Sequence, residues 1–180
     1  IGYGNRRGMR VSLAPSATRL VTPETLGKAR EAGLARASIS LDGSIASIHD
    51  AFRRTPGSFD RTVRAIQAAN QAGVSLQINT TVSRHNLHDL DNLVAMMAQF
   101  RAVLWDVFFL VPTGRGQRED MITPQQHEEV FNWLYGLTQQ APFDIKTTAA
   151  EHYRRVVLQK RQGESKTQPE AGINAPGLLY

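Results

Sequence analysis

Short apolar segments alternate with amphipathic ones along most of this chain, and that alternation limits the fold more than any other feature of the sequence. Residues 9–14 read as a strand. Thr22-Pro23-Glu24 then opens a helix, with Thr as N-cap and Pro at the first helical position. That helix runs to about residue 32 and ends at Gly33. Residues 37–41 form the next strand, broken by Asp42-Gly43. A short helix is predicted over residues 45–52, and Pro56-Gly57 ends it. Ser58 is read as the cap of a new helix whose apolar face is Phe59, Val63, Ile66 and Ala69. Gly73 closes that helix. A strand at 74–80 follows, then a helix capped by Asn86 with Leu87, Leu90, Val94 and Met97 on one face. The apolar run that ends residues 103–111 suits a strand buried on both faces. Thr123-Pro124-Gln125-Gln126 is a capping box before a helix carrying Val130, Leu134 and Leu137. Residues 143–147 give one more strand.

Such β-α alternation predicts parallel strands joined by right-handed helical crossovers. The expected architecture is α/β: a partial (β/α) TIM-type barrel over residues 1–148, with helices on the outer face. An open doubly wound sheet also fits the alternation. However, neither GxGxxG nor GxxxxGK[ST] follows a strand, which lowers the odds of a nucleotide fold of that kind. Residues 149–160 are expected to be helical. From Gln162 onward the chain reads as a polar linker rich in Gly and Pro, so 149–180 is expected to lead to a further C-terminal extension. The first residue is Ile and the last segment is GINAPGLLY, so both ends read as cuts.

Composition removes several chemistries. The chain has no cysteine. Disulfides, thiolate nucleophiles and Cys-ligated metals or clusters are therefore excluded for these residues. Of the five histidines, only His85 and His88 are close in sequence, and two ligands without a third make a poor metal site. No metal ligand is assigned. The net charge of +5 is mostly arginine. The basic pairs Arg6-Arg7, Arg53-Arg54 and Arg154-Arg155 lie far apart without interleaved aromatics, so no nucleic-acid partner is expected. The chain contains no membrane-length apolar run and no signal-peptide core, so a cytoplasmic protein without a membrane partner is expected.

In parallel α/β folds the ligand lies at the carboxyl ends of the strands. That rule selects residues 15–18 after the first strand, then Ser38, Ser40 and Asp42, then Gln77 and Asn79, then Leu110-Val111 and residues 112–116. The result is a mouth of hydroxyls and amides with one apolar wall. It has no evident catalytic carboxylate pair, no Ser/His/Asp order and no inward lysine on the strands. This suits holding a polar ligand better than acid–base chemistry.

Several of these segments carry a family resemblance. Ser38-Ile39-Ser40-Leu41-Asp42-Gly43 is followed by His49-Asp50, Arg53 and Gly57-Ser58-Phe59. This order resembles the radical S-adenosylmethionine family, in the branch with a C-terminal SPASM extension. Ile78-Asn79-Thr80-Thr81-Val82 with Arg84-His85-Asn86 is similar as well. Residues 108–116, Lys146-Thr147-Thr148 and His152-Tyr153-Arg154-Arg155 resemble members acting in haem and haem d1 biosynthesis. The resemblance spans roughly residues 9–160.

It implies that the first strand seen is the family's third. Ser40 would approach the ribose of S-adenosylmethionine and Arg53 the methionine carboxylate. Asn79 would face the nucleoside, while Leu110 and Val111 would line the adenine. It also implies a [4Fe–4S] cluster in an intact parent, reductive cleavage of the cofactor to a 5′-deoxyadenosyl radical, and hydrogen abstraction. The substrate would be a haem precursor or a peptide, and the electron donor a ferredoxin or flavodoxin. The family's three-cysteine loop and its Gly-Gly-Glu segment do not occur within these residues, and Pro15-Ser16-Ala17-Thr18 stands where Thr-Asn-Gly is common. The chain alone is therefore expected to be inactive. Two other readings stay open: a segment of another barrel enzyme, a lyase or hydrolase, and a non-enzymatic binding module.

Overall fold

The computed structural model describes residues 1–114 and 116–165. Its centre is one open sheet of five strands: β1 (Val11–Leu13), β2 (Leu34–Ser40), β3 (Leu76–Val82), β4 (Leu104–Phe109) and β5 (Asp144–Thr148). The strands lie in the order β1-β2-β3-β4-β5, and every neighbouring pair is parallel. Each strand is thus followed by a crossover to its immediate neighbour. Right-handed crossovers all stepping in one direction put the connecting helices on a single face. The architecture is a partial TIM-type barrel, as the alternation predicted.

The helices are α1 (Gly2–Arg6), α2 (Pro23–Glu31), α3 (Ala46–Arg53), α4 (Ser58–Gln71), α5 (Leu90–Gln99), α6 (Pro124–Thr138) and α7 (Tyr153–Ser165). Short 3-10 turns occupy Leu87–Asp89 and Arg118–Asp120. Thr22 and Thr123 both form the reciprocal caps expected of them, each with Pro in the first turn. The helix α7 continues through Gln162 to Ser165, where a linker was expected. The rest of that expected linker, from residue 166, lies outside the described residues.

Strand parity divides the sheet into two chemistries. Ala37 and Ile39, Leu76 and Ile78, and Trp105 and Val107 are all at most 1% exposed and form the core with the helices. Thr80 belongs to this buried face and is fully paired. Its hydroxyl donates to the Leu41 carbonyl at 2.7 Å and accepts the Trp105 indole N–H at 2.8 Å. Burying a large apolar side chain is worth about 1.5–3 kcal/mol. These alternate residues therefore hold the strands in register, since a one-residue slip would turn them all to the other face.

Three local expectations are corrected. The buried stripe of α4 is Thr62, Ala65, Ile66, Ala68 and Ala69, while Phe59 and Val63 are only partly covered. Three of these five buried residues are alanines. Ser58 is not the cap of α4. Gly57 occupies that position at φ 72°, and the capping oxygens come from Asp50 on α3. Asn86 likewise caps nothing with its side chain. Its amide is spent on anchoring the loop after β2, where Asp42 also sits.

Candidate functional site

The chain leaves β2 at Asp42-Gly43-Ser44, and four elements grip this turn. The Thr81 N–H donates to Asp42 Oδ1 at 2.8 Å, and the Asp42 N–H donates to His49 Nδ1 at 3.1 Å. The Asn86 amide donates to the carbonyls of Asp42 and Thr81 at 3.0 and 2.9 Å. Asp89 accepts from both the N–H and the hydroxyl of Ser44, each at 2.6 Å. A Cβ on Gly43 would lie 2.6 Å from the His49 backbone nitrogen, so only glycine lets α3 start this close.

His49 is buried, and its Nδ1 is an acceptor, so the neutral ring carries its proton on Nε2. Burial first, and the nearby Arg53 charge second, push its pKa down to about 4. Asp50 next door accepts from the Gly57 N–H at 2.6 Å, the Ser58 hydroxyl at 2.8 Å and the Phe59 N–H at 2.7 Å. Those bonds, led by that of Phe59, hold its carboxyl below the usual range. The pair His49-Asp50 thus ties α3 both to the strand-end turn and to the start of α4.

Arg53 closes the arrangement. Its Nη2 lies 2.5 Å from Asp42 Oδ2, an ion pair rather than an aligned hydrogen bond. The Asp42 side chain is fully buried and that of Arg53 is one-third exposed. Burial pushes the Asp42 carboxyl up, and the Arg53 charge opposes that. The exposed part of Arg53 lines a cavity of about 660 Å³ at the strand ends, with Arg54, Arg84, His85, Leu110 and Asp120. His85 Nε2 meets Asp120 Oδ1 at 2.7 Å, and this contact holds the Asp120 carboxyl below its ordinary value. Arg54 ends α3 in the left-handed region at φ 53°, a conformation that costs a non-glycine residue about 1–2 kcal/mol.

Ser40 and Asn79 are direct partners across β2 and β3 and share the helix-free inner face. Arg53 and Leu110 meet in the cavity above, and Asp42 links the two groups: it lies two residues past Ser40 and holds Arg53. Val111 is 50% exposed and does not line the cavity. Strand β4 stops at Phe109, so Leu110 and Val111 belong to the loop that follows it.

The expectation that no lysine faces inward from the strands is overturned, and the lysine is paired with a single carboxylate that the sequence reading did not single out. Asp106 on β4 sits beside Asn79 in register, and Lys146 on β5 sits beside Asp106. Lys146 Nζ donates to Asp106 Oδ2 at 3.1 Å, and the Thr148 hydroxyl donates to Oδ1 at 2.8 Å. The signal was present in the parity of Trp105-Asp106-Val107, but the apolar run around it masked the single inward acid.

Among the described residues no three His, Asp or Glu side chains gather where a metal could bind. With no cysteine either, these residues do not fit an iron–sulfur cluster. They do fit the donor needs of a nucleoside carrying an amino-acid tail: hydroxyl and amide at Ser40 and Asn79, a guanidinium at Arg53 and an apolar wall at Leu110. A second cavity, about 380 Å³, lies between the start of α2 with the loop before it and α4, and Arg19, Arg61 and Arg64 are among its lining residues. No described helix is long and apolar enough to cross a membrane.

The profile of the Radical SAM superfamily matches residues 3–97. The chain is 41% identical over 162 residues to an AdoMet-dependent heme synthase of Methanosarcina barkeri, covering 90% of this chain and 46% of that protein. It is 40% identical over 179 residues to an AdoMet-dependent heme synthase of Nitratidesulfovibrio vulgaris, covering 97% and 48%. It is 33% identical over 138 residues to the mycofactocin maturase MftC of Mycolicibacterium smegmatis, covering 74% and 34%. The chain thus spans about half the length of the heme synthases it matches. Among solved structures, Streptococcus suis SuiB bound to S-adenosylmethionine superimposes with TM-score 0.61 at 14% identity, over 83% of this chain and 35% of that one. Native anSMEcpe with bound AdoMet gives 0.59 at 16% identity, over 76% and 39%. At such identities the two structures speak for the fold alone.

Proposed function

This chain belongs to the Radical SAM superfamily, and from that membership we propose that its strand-end mouth holds S-adenosylmethionine within a haem-synthase-type enzyme. The pairing of Ser40 with Asn79 on the inner face carries this reading. Ser40 and Asn79 bond the ribose and the nucleoside edge. Arg53, fixed from behind by Asp42, presents its free guanidinium edge to the methionine carboxylate, a task for which a planar fork suits better than an ammonium. Leu110 gives the adenine its apolar side. When bound, the cofactor supplies a carbon radical for hydrogen abstraction from a substrate. The residues of this chain orient it and do no acid–base work.

The similarity to AdoMet-dependent heme synthases over most of the chain favours a haem precursor over a peptide as substrate. A ferredoxin or flavodoxin fits as electron donor to the whole enzyme. The cluster that would receive those electrons finds no ligands among these residues.

Titration of the 180-residue chain with S-adenosylhomocysteine, followed residue by residue in ¹H–¹⁵N spectra, tests the cofactor assignment. Saturable shifts centred on Ser40, Asn79 and Leu110 are expected. Shifts confined to the cavity between α2 and α4 would refute it.

A further inference from the structure

Four side chains form one row across the inner face: Ser40 on β2, Asn79 on β3, Asp106 on β4 and Lys146 on β5, each the register partner of the next. Strands lie about 4.8 Å apart, so the row spans roughly 14 Å. The proposed cofactor contacts use only its first half. The second half is built and unused. The Asp106 side chain is 3% exposed, and its oxygens are occupied by Thr148 at 2.8 Å, Lys146 at 3.1 Å and Gln77 at 3.5 Å. Such a carboxylate is saturated and does not itself reach for a ligand. Lys146 is different. Its ammonium has three N–H donors and gives one to Asp106, and its side chain remains 49% exposed.

We infer that Lys146 receives an anionic group, a carboxylate, of the substrate, with Asp106 as the positioning residue that fixes the ammonium at the far end of the Ser40–Asn79 row. This rests on the cofactor reading only for which end of the row is which. The electrostatics agree. Around this face and its rim the carboxylates of Asp42, Asp106 and Asp120 are turned in, at 0, 3 and 16% exposure, while Lys146 and Arg84 stay 49 and 55% exposed. Asp144 is exposed at the opposite, N-terminal end of β5. A substrate group held on β5 would also lie two or three strands from Ser40 and Asn79, beside a nucleoside bound there and not beneath it.

The test uses the whole 180-residue chain and propane-1,2,3-tricarboxylate as probe, with its triamide as the uncharged control. Saturable ¹H–¹⁵N shifts are expected at Asp106, Lys146 and Thr148 with the tricarboxylate and not with the triamide. Lys146→Met, which keeps the stem, should weaken binding roughly ten- to a hundred-fold, as for loss of a charge-assisted hydrogen bond. Lys146→Arg should restore most of it. An unchanged dissociation constant in Lys146→Met, or shifts centred on Arg54 and Arg84, would overturn the inference. S-adenosylhomocysteine run on the same samples separates the two readings. If it shifts Ser40 and Asn79 while the tricarboxylate leaves Lys146 unmoved, the anion site fails and the cofactor site stands. If only the tricarboxylate binds, through Lys146, the anion site stands and the cofactor assignment falls.

Discussion

Asp42 and Arg53 form an ion pair that joins the end of β2 to the end of α3, with the carboxylate fully buried and the guanidinium one-third exposed. This asymmetry decides what a substitution does. Removing Arg53 leaves a charge buried without its partner, whereas Asp42→Asn removes the charge and keeps an oxygen for the Thr81 N–H. Arg53→Met is expected to destabilise the chain by about 2–3 kcal/mol at pH 7, at the lower end for broken buried pairs because Arg53 is partly solvated. The Asp42 carboxyl, already raised, would rise further. Its cost is felt above its folded pKa and relieved below, so the Arg53→Met deficit should shrink from pH 7 to pH 4. Urea melts at the two pH values check both points, and an equal deficit at both would argue against a charged Asp42 as the cause.

His49 predicts an acid sensitivity of its own. Its folded pKa of about 4 lies below the ordinary 6.5, so the unfolded chain binds the proton first. Stability from this group is complete above about pH 6.5 and is lost as pH falls towards 4, the reverse of a histidine gaining an acidic partner. Between pH 7 and pH 5 the loss should be about 2 kcal/mol. His49→Gln should be less stable at pH 7 and should lose most of that pH dependence. A variant as acid-sensitive as the parent would point to another group.

Asp50 accepts three hydrogen bonds at the start of α4 and is the helix's true cap. Asp50→Ala is expected to lower stability measurably, as the loss of an N-cap does. Ser58→Ala, which removes one hydroxyl donor and no cap, should cost clearly less. Equal costs would return the capping role to Ser58.

The helices, the parallel order and the placement of Ser40 beside Asn79 were legible because each rests on a short-range rule. Apolar period marks the element, Thr-Pro marks two helix starts, and parity with parallel register brings Ser40 to Asn79. Roles that depend on a partner in another element were not legible. Asp50 caps a helix from the preceding one, and Asn86 spends its amide on Asp42, 44 residues away, where a local cap was expected. The pairing of Asp106 with Lys146, 40 residues apart, appears only once β4 and β5 are aligned.

The chain itself is expected to assemble no [4Fe–4S] cluster and to release no 5′-deoxyadenosine. It has no cysteine, and its described histidines and carboxylates form no three-ligand group. Anaerobic reconstitution with iron and sulfide should leave no stable iron–sulfur charge-transfer absorbance. A stable cluster would require ligands that the described residues do not offer.

These strand ends are proposed to hold S-adenosylmethionine through Ser40, Asn79, Arg53 and Leu110. Equilibrium binding of the cofactor to the 180-residue chain, with Asn79→Ala and Arg53→Met alongside and their fold checked by circular dichroism, tests it most directly. Saturable binding to the parent chain is expected, weakened roughly ten- to a hundred-fold in folded Arg53→Met and measurably in Asn79→Ala. Equal dissociation constants for all three proteins would contradict the claim.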